Sequence, residues 1–213
     1  MSKMFYPILA RRKEYETKKS GGYYKYSYYR AVIEEDCKQR CVYCDLLLRE
    51  HAFEGMHLDH FRPQSLFNEL TNDPCNLVLS CPKCNALKTN HWPCARVTID
   101  SPSHDNNIGF IDPFAEKMRD YLTVDKDGVI RSAKKPADYI IELLKLNRAS
   151  RILLRKRRLQ ISTALNMKEL LDKQIDALFN DLAKDDCNKA QILKKYQKLK
   201  RVNTILTEII CQI

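Results

Sequence analysis

No window of this 213-residue sequence approaches the run of about 20 apolar residues that a membrane-spanning helix requires. The short apolar stretch in MSKMFYPILARRKEYETKK runs at once into dense charge, unlike the core of an export signal. These absences make a cytoplasmic protein with no membrane partner the expectation. There is no internal repeat and no low-complexity tract, which excludes a solenoid and gives no reason to expect disorder. Acid is in deficit: 27 Asp and Glu face 37 Lys and Arg, for a net charge of +10 and a pI near 9.1. The first partner to consider is therefore a polyanion, nucleic acid before others. A separate base-reading motif is missing too, so no motif in the chain names a target sequence.

What is present is 44% hydrophobic and 30% charged residues, the balance of a globular chain long enough to bury a core. Nine cysteines would suit disulfides in an exported chain, but four fall into two CxxC pairs in a sequence without an export signal, which points to metal. Cys37, Cys75, Cys94, Cys187 and Cys211 have no such spacing and read as ordinary thiols.

Three stretches divide the chain. Residues 1–22 are a basic arm closed by the breaker Ser20-Gly21-Gly22. Residues 23–135 open with a helical segment, Tyr23 to Gln39. Its tyrosines at 23, 24, 26, 28 and 29 are expected to pack on the core with hydroxyls outward, the alternative being stacking on bases. Between Cys41 and Pro93, short apolar runs predict strands at Met56 to His60 and Leu77 to Ser80 and a short helix at Pro82 to Thr89. An Asp-Gly turn between Tyr121 and Ile130 predicts a hairpin. Residues 136–213 recur to apolar side chains at helical spacing, predicting two or three long helices with breaks near Asn166 and Asp185 to Asn188. The fold class is α+β.

Cys41-Val-Tyr-Cys44 and Cys81-Pro-Lys-Cys84 each place two thiolates on a tight turn, and two such turns complete a tetrahedron around one Zn²⁺ at about 2.3 Å per sulfur. A closed shell of four sulfurs leaves no position for substrate, so this zinc is structural. A redox CxxC would want a single pair in a thioredoxin-like setting, and neither condition is met. The 36 residues between Cys44 and Cys81 must hold structure of their own.

Within that insert lie His57-Leu58-Asp59-His60-Phe61-Arg62-Pro63 and Cys75-Asn76-Leu77-Val78-Leu79-Ser80, and the second cysteine pair runs on into Asn85-Ala86-Leu87-Lys88. From Cys41 to about Asn90 the constellation resembles the HNH endonucleases, also called ββα-metal or His-Me finger nucleases. The resemblance implies a zinc-stapled ββα-metal core, flanked here by the N-terminal helix and a mainly helical C-terminal region. It implies His60 as general base, Asn76 as the residue that orients it, and Asp59 and Asn85 as ligands of a catalytic Mg²⁺ or Mn²⁺. Residue chemistry agrees, since an imidazole can take a proton near neutral pH and a hard cation wants carboxylate and amide oxygens. Asn85 stands where the family's name spells a third His, and His91 is kept as a substitute ligand or a packing residue beside Trp92. His57 reads as a supporting residue, His51 and His104 as surface residues.

Arg62 and Lys88 are expected phosphate contacts. The cluster Arg148, Arg151, Arg155, Lys156, Arg157 and Arg158 is expected to lay one helix face, with Arg151, Arg155 and Arg158, along a DNA backbone. The function implied is metal-dependent cleavage of nucleic acid, DNA before RNA. The alternative is a non-catalytic zinc-stabilised adaptor that binds nucleic acid or a protein. In size and layout the chain is also similar to small HNH effectors of bacterial anti-phage systems such as Septu. That likeness implies an ATPase or other protein subunit on the C-terminal helices, where Ile205, Leu206, Ile209 and Ile210 form an apolar stripe that packing within the chain would equally explain.

Overall fold

The structure, a computed structural model, describes residues 4–50, 55–95, 98–105, 107–183 and 188–212. The expectations for His51 and Cys187, and for the side chains of Ile209 and Cys211, lie outside the described residues. The chain divides into two compact units, Met1–Arg155 and Lys156–Ile213.

The first unit is α+β, as its sequence pattern predicts. Strand β1 (His57–His60) pairs antiparallel with β2 (Leu77–Ser80), in a register that sets Asp59 opposite Val78 and His60 opposite Leu77. Every residue of β2 is buried, so this short strand is held on both faces by the core. Helix α2 (Pro82–Lys88) follows at once; Pro82 sits in its first turn, where a missing N–H costs nothing. Helix α1 (Arg30–Asp36) is shorter than expected. Tyr26–Tyr29 wind as a 3₁₀ turn before it, and the chain leaves the helix at Cys37, whose Sγ accepts the Leu79 N–H at 3.2 Å.

The basic N-terminal stretch folds onto this unit because it carries Phe5, Tyr6 and Leu9, all buried. Arg11 adds hydrogen bonds to the carbonyls of Pro74 and Cys75, at 3.1 and 2.8 Å. The expected hairpin forms as β3 (Leu122–Val124) and β4 (Ile130–Ser132). In its turn Gly128 adopts φ +83°, and Asp125 Oδ1 accepts from Asp127 and Val129 N–H, both at 3.0 Å. Helix α3 (Ala137–Leu143) packs Ala137 and Ile140 inward.

Helix α4 (Ala149–Leu182) continues through Asn166, where the sequence suggested a break. No Gly or Pro interrupts it, and one interior Asn costs at most about 0.7 kcal/mol relative to Ala. Of the second expected break, residues 185–187 lie outside the described residues; at Asn188 the side-chain Oδ1 accepts the Gln191 N–H at 3.1 Å and α5 (Lys189–Gln212) begins. Within the second unit Phe179 and Tyr196 meet edge to face at 5.5 Å, while Leu170, Leu193, Val202 and Ile205 stay exposed. Among the described residues no helix is long and apolar enough to cross a membrane.

Candidate active site

The four cysteines of the two pairs are buried, and their sulfurs lie within 4.8 Å of one another. Cys44 and Cys81 sulfurs are 3.8 Å apart, the spacing of about 3.8 Å that a tetrahedron with Zn–S near 2.3 Å requires and far longer than a disulfide. The donor set therefore fits one Zn²⁺ with no open position. The first turn is tied to the sheet by Val42 N–H donating to Leu79 O at 3.0 Å. The second enters α2 directly, so one cluster fixes strand, knuckle and helix together.

Four thiolates around Zn²⁺ carry surplus negative charge. It is met by two arginines: Arg148 Nη2 lies 3.7 Å from Cys84 Sγ, and Arg151 Nη2 3.9 Å from Cys81 Sγ. Sequence reasoning sent Arg151 to DNA and missed this role of Arg148. Arg155 also turns inward, donating to Gly128 O at 2.6 Å and to Leu146 O and Asn147 Oδ1 at 3.1 Å, and Arg158 is buried. Arg62 is half-buried, packed over Trp92 and Phe67 and bonded to Ser101 O at 2.7 Å. Lys88 is fully buried. Arg62, Lys88, Arg151 and Arg155, expected as phosphate contacts, thus have partners within the fold, and Arg158 is buried. Backbone carbonyls, a thiolate and a buried carboxylate hold Arg62, Arg155, Arg151 and Lys88 within the fold, where unpaired polar groups would be costly.

A cavity of about 450 Å³ opens between β1, α2 and the loop after β1, with Asp59, His60 and Asn85 among its lining residues. His60 Nε2 lies 2.8 Å from Thr71 O. A carbonyl only accepts, so Nε2 carries the hydrogen and Nδ1 of the neutral ring is the basic nitrogen. Tyr26 sets its ring against the imidazole at 5.1 Å. Asn76, nearly buried, accepts from Arg62 N–H at 2.8 Å and donates to Arg62 O at 2.9 Å, while its own carbonyl accepts from Phe61 N–H at 2.8 Å. It clamps the chain just beyond His60 and makes no bond to the imidazole itself.

Asp59 is held from two sides. Tyr43, from inside the first CxxC turn, donates its hydroxyl to Oδ2 at 2.7 Å, and Lys88 of α2 reaches Oδ1 at 3.0 Å and His60 O at 2.7 Å. Burial pushes the Asp59 carboxyl up, and Lys88 and Tyr43 oppose that shift. Burial, with Asp59 adjacent, also pushes the Tyr43 phenol well up, so it stays a donor. Asn85 Nδ2 pairs with His57 Nδ1 at 3.1 Å, which makes His57 a partner of the amide. His91 stacks on Tyr139 and is bonded to its hydroxyl, a packing role outside the cavity. His104, read as a surface residue, is instead partly buried and bonded to Glu116 at 2.8 Å. Tyr43, Tyr26 and the Thr71 carbonyl were missed. Tyr43 stands within the CxxC, and Tyr26 in the tyrosine run read as core packing or base stacking; the Thr71 carbonyl left no trace in the sequence.

A protein-family model for HNH endonuclease matches residues 41–91. Over 149 residues the chain is 27% identical to the Septu protein PtuB of Bacillus thuringiensis, covering 68% of this chain and 51% of that protein. The chain thus spans about half the length of that relative. No solved structure matches the chain significantly. The matched segment begins at the first cysteine of the zinc-suited cluster and takes in β1, β2 and α2 with the cavity's Asp59, His60 and Asn85, so the likeness to the HNH endonuclease domain falls on the cluster and the cavity together.

Proposed function

We propose that the protein is a metal-dependent endonuclease that hydrolyses nucleic-acid phosphodiester bonds, DNA in the first place, with His60 as general base. The observation that carries the reading is the His60 ring lining the cavity with Nε2 committed to the Thr71 carbonyl, which leaves Nδ1 as the nitrogen able to accept a proton. Nδ1 takes the proton of a water that attacks phosphorus in line, the P–O3′ bond breaks, and the leaving 3′ oxygen takes a proton from solvent, so the products carry 5′-phosphate and 3′-hydroxyl ends. Asn76 holds the backbone at Arg62, which keeps the end of β1 in place. Asp59 and Asn85 supply the hard oxygen donors for one Mg²⁺ or Mn²⁺. When bound there, the ion would stabilise charge on the phosphate oxygens. The net charge of +10 supports a polyanionic substrate.

The biological setting we propose is anti-phage defence, on the likeness to the Septu protein, with an ATPase or other subunit docking on the second unit, where Leu170, Leu193, Val202 and Ile205 are exposed. We place this activity in the cytoplasm. A cleavage panel over supercoiled, linear and single-stranded DNA and RNA, with Mg²⁺ or Mn²⁺, tests the reading. Cleavage in the panel that disappears on chelation supports it. Tight binding without cleavage of any of the four would replace it with the adaptor reading.

A further inference from the structure

We propose that this centre takes up its divalent ion together with a nucleic-acid phosphate rather than holding it in advance, and that Lys88 is the positioning residue that sets this order. The inference rests on the reading of Asp59 and Asn85 as ligands made above. Among the described residues lining the cavity, Asp59 is the sole carboxylate. Its charge is already matched by Lys88, which is fully buried at 3.0 Å and stays there because it also donates to His60 O at 2.7 Å. Moving a proton from Nζ to the carboxylate would leave the pair's total unchanged, so the balance does not depend on which group carries it. Asn85 is neutral. Among the described residues, the four cysteines form the one group of three or more His, Cys, Asp or Glu placed to share an ion.

A small dication that dehydrates reluctantly has little reason to enter such a neutral site alone. A scissile phosphate brings the missing negative charge and further oxygen ligands. Metal and nucleic acid should then tighten each other by one and the same factor. Tyr43 serves the same end, since its bond to Oδ2 keeps the carboxylate fixed while the ion is absent.

The test uses the zinc-loaded full chain carrying His60→Ala, which blocks turnover and leaves Asp59, Lys88 and Asn85 intact. Free Mn²⁺ is followed by electron paramagnetic resonance with and without a short oligodeoxynucleotide, the oligonucleotide alone serving as blank. The expected result is a half-saturation at least about tenfold lower with DNA, and oligonucleotide affinity raised by the same factor when Mn²⁺ is added. Lys88→Gln in the same background should take up Mn²⁺ without DNA about tenfold more tightly. If that variant loses its zinc, the comparison with and without DNA decides alone. Equal half-saturation in both arms, while the wild type cleaves, overturns the proposal and spares the nuclease reading. Unchanged affinity in a zinc-loaded Lys88→Gln removes the part given to Lys88. No Mn²⁺ uptake in either arm, with no cleavage of any substrate by the wild type, overturns both.

Discussion

Asn76 illustrates how much can hang on one side chain. Its amide meets both the N–H and the carbonyl of Arg62 while buried, so Asn76→Asp keeps the shape but sets a carboxylate oxygen against the Arg62 carbonyl. The expected cost is about 2 kcal/mol of stability, read by denaturant unfolding, with cleavage reduced as the end of β1 loosens. A neutral result would mean that the clamp is not needed. Asn85→Ala should keep its zinc and lose cleavage by about a hundredfold, because it removes the amide oxygen proposed to hold the divalent ion. At this scale the sequence was most legible where residue type itself carries the chemistry: four sulfurs, a carboxylate beside an imidazole, two amides. It was silent on the Thr71 carbonyl, which any residue could supply, and on the partners that Lys88 and the arginines find within the fold. A cation looks the same in sequence whether it faces water or a buried carboxylate.

At the scale of elements, the zinc cluster stands in for a core that two four-residue strands could not build alone. Stripping the zinc should therefore open β1 and β2, and amide exchange at 77–80 should rise to that of unfolded chain while α5 keeps its own protection. Continued protection at 77–80 without metal would contradict the structural role. Arg148 and Arg151, lying on the cluster sulfurs, should slow metal loss. Replacing both with Ala is expected to speed zinc release to a chromophoric chelator about tenfold, through lost N–H···S bonds. Strand and helix positions around the site were readable within a residue or so, since each is bracketed by a cysteine pair or a turn. The uninterrupted α4 was not, because an Asn in a helix is a weak breaker and the residues on either side favour helix.

For the whole molecule, net charge and buried arginines pull in different directions. The charge of +10 favours nucleic acid, yet much of the basic cluster after Leu146 is engaged inside the fold. Few phosphates should then be neutralised on binding. With three or four such contacts, affinity for DNA should fall by roughly a hundredfold between 50 and 200 mM salt, less than for a protein that tracks the backbone extensively. A much steeper dependence would show a basic surface not accounted for by these residues. The most direct measurement is the single-turnover rate of plasmid nicking in Mg²⁺ or Mn²⁺ by zinc-loaded wild type and His60→Ala. A loss of about a hundredfold or more is expected in the variant, with zinc content unchanged. Equal rates would contradict His60 as the base, and with it the reading of this cavity as the place where nucleic acid is cut.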